Sequence, residues 1–409
     1  MKILQVCKKF PYPLKDGESV ANTYISKALH DLGCEVTLLA MNTTKHYLEV
    51  DEYRHELAHY KAIHAVKVDN TVNYFDALWH LMRNKSYNIA RFVSNSFEDV
   101  LIQLLKNQQF DVIQLETSYL NAYIPVIRKY SKALIAMRAH NVEYEIWERL
   151  AENAPIGLKK WYFKHISKKL REFEKQYLEQ YDLLVTFTDR DLSTYRKMGY
   201  YNGATLSPIG LNLGQYVQQD VSRSNGPKFA FIGALDWLPN LEGLTWLVDK
   251  VWPHILAKYP HAELHIAGRK TPSEVFSLAK DSIIIHGEVQ DSKIFLNQFP
   301  IILVPLFSGS GMRVKILEAM ALGRIVIATS VAVEGIPVTD GVEFFLADDP
   351  DQFLKAIGIY VDKPHAVNKM QAAARSMVHN YYDNMRLAEK LLDTYRKEIP
   401  KYQKKALIK

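Results

Sequence analysis

Short apolar runs rich in β-branched residues alternate with amphipathic stretches along this chain, and the alternation occurs twice. In the first half, strand-like runs occur at 2–7, 35–41, 111–116, 133–140 and 183–187, with helical stretches such as 20–32 and 93–108 between them. The pattern restarts at KFAFIGA, directly after a polar segment that contains Gly and Pro. Runs that are apolar on both faces and separated by helices are typical of parallel sheets with crossover helices. The sequence therefore predicts two α/β units, each a Rossmann-like parallel sheet, joined by a linker near 208–227.

The size and composition of the chain agree with two such units. The chain has 409 residues, of which 48% are apolar and 23% charged, and its net charge is +6. This length suffices for about two to three domains, each with a core of its own. The mild positive charge fits an anionic ligand or a loose association with a membrane surface. It does not require nucleic acid, and we expect no nucleic-acid partner.

The cysteines and the length of the apolar runs indicate where in the cell the protein is expected. Cys7 and Cys34 lie in strand-like contexts without a CxxC or Cys/His cluster, which argues against disulfide scaffolds and structural zinc. The apolar run before Lys8 and Lys9 is too short for a signal peptide. No uncharged apolar stretch approaches the ~20 residues that span a bilayer. We expect a cytoplasmic protein that is at most peripheral at the inner face of the membrane.

The stretch SGSGMRVKILEAMALG carries the strongest signal for a binding site. It follows a predicted strand, and open α/β sheets bind ligands at the carboxyl ends of their strands. Its two glycines allow the backbone to approach a ligand closely, and the start of the following helix favours an anion. Arg313 and Lys315 suit phosphate oxygens, whereas the carboxylate of Glu318 suits the hydroxyls of a ribose. The stretch therefore predicts a site for a nucleotide diphosphate.

A simpler interpretation of the same stretch is a glycine turn followed by a surface pair of Lys315 and Glu318. Such a pair contributes only about 0.3–0.5 kcal/mol. This interpretation does not explain both glycines, or the cationic start of a helix whose dipole favours acids there. Two known loops are excluded, because the stretch lacks both the GxxxxGK[ST] of a Walker loop and the third glycine of the dinucleotide fingerprint.

Three further loops follow predicted strands. In FIGALDWLPN, Gly233 is expected to face the same diphosphate. Asp236 and Asn240 precede a helix in that loop, and turn and cap chemistry also explains them. In PYPLKDGES, Gly17 either brings backbone amides to a phosphate or sugar or is loop punctuation. In RAHNVEYE, His140 falls at a strand end, where an imidazole either contacts a reacting sugar or is structural.

These motifs resemble those of the retaining GT-B glycosyltransferases of family four, the glycosyl transferases group 1. The resemblance covers nearly the whole chain and is carried by GSGMRVKILEAMALG, FIGALDWLPN, HGEVQD and RAHNVE. It implies an enzyme that transfers a sugar from a nucleotide diphosphate sugar, as co-substrate, to a glycan, lipid-linked or other hydroxyl acceptor. The anomeric configuration would be retained, and neither a metal nor another cofactor would be needed. Polysaccharide biosynthesis would be a fitting pathway class.

The resemblance also implies an architecture. A GT-B fold has two Rossmann-like domains facing a cleft, with the donor on the C-terminal domain and the acceptor on the N-terminal one. The N-terminal domain is then expected to span 1–207 and the C-terminal domain 208–379. A last helix at 380–397 would cross back onto the N-terminal domain.

Roles of individual residues follow from the resemblance in the same way. Glu318 would bind the ribose hydroxyls, His140 would contact the transferred sugar near the reacting centre, and the backbone near Val289 would lie against the base. The donor sugar and phosphate would face four consecutive residues, Gly309, Ser310, Gly311 and Met312.

The chain departs from the family pattern at two places. Many members have a glutamate eight residues before the equivalent of Glu318, where this chain has Ser310. Many members also carry an Arg and a Lys in the loop that here reads GALDWLPN and has neither. Arg313 and Lys315 are expected to supply that charge from the opposite loop and to stabilise the leaving diphosphate. The expected catalytic residues are thus His140, Arg313, Lys315 and Glu318.

Other functions are compatible with the sequence. A sugar-nucleotide 2-epimerase of the same architecture would bind the same donor without an acceptor, and Ser310 leaves room for a non-catalytic nucleotide-sugar binding protein. The Asp-x-Asp pairs at 189–191 and 349–351 allow a metal-dependent GT-A enzyme, although both look like caps or turns. The basic, aromatic-rich segment 157–177 predicts either a solvated helix face or a helix on anionic lipid.

Overall fold

The computed structural model describes residues 1–14, 16–71, 73, 87–220, 226–309 and 312–408. It divides the chain into two compact units. Unit 1 comprises Met1–Gly210 and the chain from Asn384 onward, and unit 2 comprises Leu211–Asp383. Each unit contains one parallel sheet with helices, which confirms the predicted fold class of two Rossmann-like α/β domains.

Unit 1 is built on a seven-stranded sheet. Its strands are β1 (Lys2–Cys7), β2 (Glu35–Thr43), β3 (Tyr60–Val68), β4 (Val112–Leu115), β5 (Leu134–Ala139), β6 (Leu183–Thr186) and β7 (Gly203–Leu206). They are all parallel, in the order β3-β2-β1-β4-β5-β6-β7. Buried apolar side chains cover both faces of this sheet in two clusters. Burial on both faces is the reason that the strands read as continuous apolar runs.

The helices of unit 1 come between these strands and after unit 2. They are α1 (Gly17–Asp31), α2 (Tyr87–Ala90), α3 (Asn95–Asn107), α4 (Ile124–Tyr130), α5 (Glu143–Asn153), α6 (Leu158–Tyr177) and α7 (Asp189–Met198). The first of them begins after Asp16, whose side chain accepts a hydrogen bond from the Ser19 amide. Its last residue, Asp31, is followed by the capping residue Leu32, and Gly33 then takes the left-handed conformation with φ of 84°.

Unit 2 is built on a six-stranded sheet. Its strands are β8 (Lys228–Ile232), β9 (Glu263–Ala267), β10 (Ile283–Gly287), β11 (Ile301–Val304), β12 (Ile325–Ala328) and β13 (Phe345–Leu346), in the order β10-β9-β8-β11-β12-β13. Its helices are α8 (Leu238–Trp246), α9 (Trp252–Lys258), α10 (Ser273–Phe276), α11 (Ser292–Asn297), α12 (Val314–Ala321), α13 (Pro350–Asp362) and α14 (Pro364–Tyr381). A single buried cluster of apolar residues packs this sheet against its helices.

The last helix, α15 (Asn384–Ile408), belongs to unit 1 although it follows unit 2 in the chain. Its residues Ala388, Leu391, Leu392 and Tyr395 are buried in the same cluster as Ile3 of β1. The expectation that the C-terminal helix returns to the N-terminal domain is therefore confirmed. Among the described residues, no helix combines the length and the apolar character that crossing a membrane requires.

One helical prediction needs correction, and one needs adjusted bounds. The stretch 240–259 reads as one helix, but the structure has α8 and α9 separated by a π-helical turn at Leu247–Val251. Pro253 lacks an N–H group, so a regular α-helical bond cannot form at that point. The stretch 366–397 is helical as the sequence predicts and comprises parts of α14 and α15, and the last helix begins at Asn384 rather than at 380.

Candidate active site

The loops that were singled out in the second half of the sequence follow strands of unit 2. Gly233 follows β8, Gly309 follows β11, and Val289 follows β10. Because all strands of this sheet are parallel, their carboxyl ends lie along one edge, where open α/β sheets bind ligands. Gly233, Val289 and Gly309 thus lie at the edge that this class of sheet uses.

Gly309 and Arg313 meet a side chain from the loop after β8. The backbone of Gly309 has φ of 98°, and a Cβ atom there would lie 2.8 Å from Cη2 of Trp237. The guanidinium carbon of Arg313 lies 5.8 Å from the centre of the Trp237 ring, within cation–π range. Glycine is therefore favoured at position 309 both by the positive φ and by the nearby Trp237 ring. Arg313 lies where the loop after β11 contacts the loop after β8.

Lys315 reaches across to the loop after β8. Its Nζ atom donates to the carbonyl of Ile232 and to Oδ1 of Asn240, both at 2.9 Å. Asn240 in turn donates through Nδ2 to the carbonyl of Ala234 at 2.9 Å. Asn240 lies within α8 rather than at its cap, so cap chemistry does not account for it. Lys315, near the start of α12, thus places its ammonium group against the loop after β8. That loop contains no Lys or Arg within 231–240.

The ammonium of Lys315 has only neutral partners among these contacts. Burial, and then the charge of Arg313, lower the pKa of Lys315 to about 7. A cation that is desolvated beside another cation is poorly compensated. An anionic ligand between Arg313 and Lys315 would supply the missing counter-charge.

Gly233 and Asp236 have different surroundings. A Cβ atom on Gly233 would lie 2.8 Å from the side-chain carboxamide of Asn240, so only glycine fits. Asp236 forms ion pairs with Arg269 at 3.6 Å and Lys270 at 3.5 Å. These two cations directly follow β9, so their position at a strand end was the signal that could have identified them.

Glu318 lies on α12, one turn after Lys315. Its Oε1 atom accepts a hydrogen bond from the hydroxyl of Tyr216 at 3.0 Å, and Ser292 Oγ lies 3.3 Å from both carboxylate oxygens. Burial raises the pKa of Glu318 to about 7, although the Tyr216 hydrogen bond and the charge of Lys293 oppose this shift. Sequence reasoning missed Tyr216 because it lies in the expected linker.

The alternative of a surface pair between Lys315 and Glu318 does not describe this geometry. Their side chains have separate partners, Asn240 for the lysine and Tyr216 for the carboxylate. Among the ion pairs within the described ranges, none joins the two. Met312 is buried next to this helix, whereas Ser310 and Gly311 lie outside the described residues. Their predicted contacts with the sugar and phosphate stay predictions.

His140 lies on unit 1, directly after β5. Its Nε2 atom is 2.9 Å from Oε2 of Glu116, and its ring stacks on Phe187 with centroids 4.6 Å apart. Glu116 is fully buried and also accepts from Arg138 Nη1 at 2.9 Å and from Gln5 Nε2 at 2.7 Å. Glu116 ends the apolar run DVIQLE, and an acid at the end of a buried strand was the signal for it.

The protonation of this cluster follows from its contacts. Burial opposes ionisation of Glu116, but Arg138 and the hydrogen bonds from His140 and Gln5 lower the pKa of Glu116 to about 2. Burial lowers the pKa of His140, which outweighs the opposite effect of Glu116. A neutral imidazole beside an ionised carboxylate carries its proton on Nε2, so Nδ1 is left as an acceptor.

Gly17 is the first residue of α1 and directly follows the capping residue Asp16. Asp16 also pairs with Lys9 at 2.6 Å, and although burial opposes ionisation, Lys9 and the Ser19 amide lower the pKa of Asp16 to about 2. An anion is thus already present at this helix start. The contact with a phosphate or sugar predicted for Gly17 stays a prediction.

The two Asp-x-Asp segments open helices. Thr188 caps α7 by accepting from the Asp191 amide, and Asp349 caps α13 by accepting from the Gln352 amide. Within the described ranges, no three His, Cys, Asp or Glu side chains converge as metal ligands. Cys7 and Cys34 are buried and free.

Comparison with known proteins relates unit 2 to a family. Residues 226–362 match the family described as Glycosyl transferases group 1. The matching residues all lie within unit 2. An uncharacterized 44.6 kDa protein in the cps region of Klebsiella pneumoniae is 22% identical over 397 residues, which cover 94% of this chain and 97% of that protein.

Solved structures show that the fold extends over the whole chain. HepE from Anabaena, determined in complex with UDP, aligns with a TM-score of 0.68 at 13% identity, covering 97% of this chain and 100% of that one. Sucrose-phosphate synthase from Thermosynechococcus elongatus aligns with a TM-score of 0.73 at 14% identity, covering 97% and 99%. At this level of identity the likeness concerns the fold, which is GT-B.

Proposed function

We propose that this protein is a retaining glycosyltransferase that moves a sugar from a nucleotide diphosphate sugar to a hydroxyl acceptor, without a metal ion. One observation supports this most directly: Lys315, near the start of α12, is a buried cation whose hydrogen-bond partners are neutral, and Arg313 precedes it at the carboxyl edge of the sheet. They lie in a domain that matches Glycosyl transferases group 1. A diphosphate is the anion that suits this position, because it can contact both cations and the start of a helix.

In this proposal the charges act on the leaving group. Cleavage of the bond between the sugar and the phosphate leaves negative charge on the diphosphate. Arg313 and Lys315 are already in place to stabilise that charge as it develops, which is the most effective form of electrostatic catalysis. Glu318 binds the ribose, and the Nδ1 atom of His140 accepts a hydrogen bond from a hydroxyl of the transferred sugar. The leaving diphosphate itself takes the proton of the acceptor hydroxyl in a front-face reaction.

The substrate class is tested by a thermal-shift screen with UDP-, GDP- and ADP-sugars. A bound donor raises the unfolding temperature by mass action, so the matching nucleotide gives the largest shift. Release of nucleotide is then measured with and without glycan or lipid-linked acceptors, in the presence of a chelator. Release that needs an acceptor supports transfer, whereas product formation without one favours a sugar-nucleotide epimerase. If no nucleotide sugar shifts the transition, the proposal is wrong.

Replacing the Arg313 guanidinium tests the assigned chemistry. We expect Arg313→Ala to lower kcat by about 10²–10³-fold, the range seen when one preorganised charge-stabilising group is removed. The folded state should persist, as judged by circular dichroism. Arg396→Ala is the matched control, because that arginine is exposed on α15 and pairs with Asp393. A kcat that is equal in both variants would contradict the role of Arg313.

We also propose that α6 rests on an anionic membrane. Its exposed positions include Lys164, Lys168 and Lys175, which are four and seven residues apart, or about one and two helical turns, and therefore lie on one face. At the amino end of the helix, three large apolar side chains are solvent-exposed: Ile156 is 97%, Leu158 86% and Trp161 55% exposed. A basic face that ends in exposed apolar groups is the pattern of helices that lie in a membrane interface. Such a contact would suit a lipid-linked acceptor.

A further inference from the structure

The first segment of unit 2, from Leu211 to Asp220, is hydrogen-bonded to side chains from the rest of that unit. Asn297 at the end of α11 donates to the carbonyl of Val217 at 2.9 Å. Arg324 donates through Nη2 to the carbonyl of Gln219 at 2.7 Å. Tyr216 lies in the middle of this segment and is only 5% exposed. These two contacts follow Tyr216 in the chain, and Lys293 donates to Oε1 of Gln215, the residue before it, at 3.3 Å. The tyrosine is therefore held in place by contacts on both sides of it.

The hydroxyl of Tyr216 and that of Ser292 contact Glu318 in different ways. Tyr216 donates to one carboxylate oxygen, Oε1, at 3.0 Å. Ser292 Oγ is 3.3 Å from both oxygens, so its single proton is shared between them. A shared contact at that distance is weak, and a hydroxyl of a ligand can replace it. Within the described part of the chain, Oε2 therefore has no donor as close as the Tyr216 hydroxyl is to Oε1.

The charged groups around Glu318 come from α11 and its cap. Lys293 favours ionisation of the carboxyl group, whereas Asp291 opposes it. Lys293 itself lies 3.5 Å from Asp291 and 5.9 Å from the centre of the Tyr216 ring. Tyr216 is the strongest of the groups that lower the pKa of Glu318, against a larger effect of burial that raises it. Its hydroxyl therefore favours the ionised form, which is the form that accepts hydrogen bonds from a diol.

We propose that Tyr216 is a positioning residue of the donor site, which holds Oε1 of Glu318 so that Oε2 is presented to a hydroxyl of the nucleotide ribose. The ribose hydroxyl takes the place of the shared Ser292 contact, while the Tyr216 contact persists in the complex. This inference rests on the proposed function for the identity of the ligand. The contact between Tyr216 and Glu318 does not depend on it.

Removing the hydroxyl alone tests the proposal. Tyr216→Phe keeps the buried aromatic ring, so the fold should be retained. We expect the variant to bind UDP about five- to tenfold more weakly at pH 7, because Glu318 loses the hydrogen bond that favours its ionised form. The ratio of the UDP dissociation constant of Tyr216→Phe to that of the wild type should return toward one by about pH 9, because Glu318 is then ionised in both proteins. Isothermal titration at several pH values measures this ratio.

Tyr259→Phe is the matched control, since Tyr259 lies at the far end of α9 and takes no part in the site. UDP binding in Tyr259→Phe should equal that of the wild type. An affinity loss in Tyr216→Phe that is the same at every pH would overturn the proposal, because it would indicate a packing role only. Tighter binding in Tyr216→Phe would overturn it too, because the hydroxyl would then compete with the ribose.

A second measurement works without any nucleotide. The side-chain carboxyl of Glu318 is followed by NMR in protein with ¹³C-labelled glutamate, and its signal is assigned by its loss in Glu318→Gln. The titration midpoint should move to higher pH in Tyr216→Phe and should not move in Tyr259→Phe. An unmoved midpoint overturns the proposal. If the midpoint moves but the wild type does not bind UDP, the positioning of Glu318 holds and the choice of UDP as ligand fails.

Discussion

Lys315 and Glu318 lie one turn apart on α12, carry opposite charges when ionised, and are both shifted toward neutrality by burial. The pKa of Lys315 falls to about 7 and that of Glu318 rises to about 7. Burial disfavours the charged form that the proposed ligand requires in both side chains, and for Glu318 it outweighs the opposite effects of Tyr216 and Lys293. Ionisable groups with strongly shifted pKa values are typical of functional sites. Here a bound ligand would provide the opposite charge or the hydrogen bonds that favour the charged form.

This pair predicts a pH optimum for donor binding. A diphosphate favours protonated Lys315, which loses its proton as the pH rises through about 7, and a ribose favours ionised Glu318, which gains a proton as the pH falls through about 7. Affinity for the best nucleotide sugar should therefore be highest near pH 7 and should decline by up to about tenfold per pH unit on either side. Calorimetric titrations between about pH 5 and pH 9 measure the profile.

Two variants separate the limbs of that profile. Glu318→Gln should remove the acidic limb, and Lys315→Met should remove the alkaline one, each with a lower maximal affinity. A profile that is flat in the wild type, or that keeps both limbs in both variants, would contradict the assignment of these two groups.

At the scale of single residues, some members of the candidate site could be predicted from the sequence and others could not. Gly309, Arg313, Lys315 and Glu318 could be picked out because they cluster in one loop and helix, where spacing is informative. Tyr216 could not, because it reaches Glu318 from 102 positions earlier in the chain. Contacts between distant segments depend on the tertiary fold, which local patterns do not encode.

At the scale of elements, strands were easier to place than helices. The apolar runs at 2–7 and 35–41 correspond to β1 and β2, since both faces of those strands are buried. β3 was missed because its burial is incomplete and its pattern is mixed, with Lys61, His64 and Lys67 within it. The break between α8 and α9 was missed because the apolar periodicity continues through the π-helical turn.

Helix α15 shows how an element from the end of the chain completes a core that begins at the start. Tyr395 is fully buried, and its hydroxyl donates to Oε1 of Gln114 at 2.6 Å. Gln114 also donates to Glu116, the partner of His140. The last helix is thus connected through three side chains to the histidine of the candidate site.

Removing the Tyr395 hydroxyl should therefore destabilise the protein. In Tyr395→Phe the buried oxygen of Gln114 loses its donor, and we expect a loss of about 1–3 kcal/mol in the free energy of unfolding, measured in urea. Tyr381→Phe is the matched control, because Tyr381 is 57% exposed on α14 and should change stability by less than about 0.5 kcal/mol. Equal stabilities of the two variants would show that the Tyr395 hydrogen bond does not contribute.

At the scale of the whole molecule, the duplicated alternation of strands and helices was sufficient to predict two parallel-sheet units. The return of α15 to unit 1 was not contained in that alternation, because a helix in the sequence carries no information about which sheet it covers. It was inferred only from resemblance to GT-B proteins. The net charge of +6 also does not indicate where a basic surface lies, because the fold determines which cations are exposed.

The exposed cations of α6 lead to the prediction at this scale. We expect the protein to float with vesicles that contain anionic phosphatidylglycerol and to remain unbound with neutral phosphatidylcholine. Each lysine near the surface should contribute about 1 kcal/mol, so binding should weaken as salt is raised. Replacing Lys164 and Lys168 by Glu should abolish most of the binding at moderate salt.

The apolar end of α6 makes a separate contribution that salt does not screen. Replacing Ile156, Leu158 and Trp161 together by Ser should reduce binding at high salt as well as at low salt, because their apolar area would no longer enter the interface. Tyr201→Ser is the control, since Tyr201 is 82% exposed on the same unit but lies outside the helix. If Tyr201→Ser weakened flotation as strongly as the triple variant, binding would not depend on α6. Equal binding to neutral and anionic vesicles would contradict the electrostatic part of the proposal.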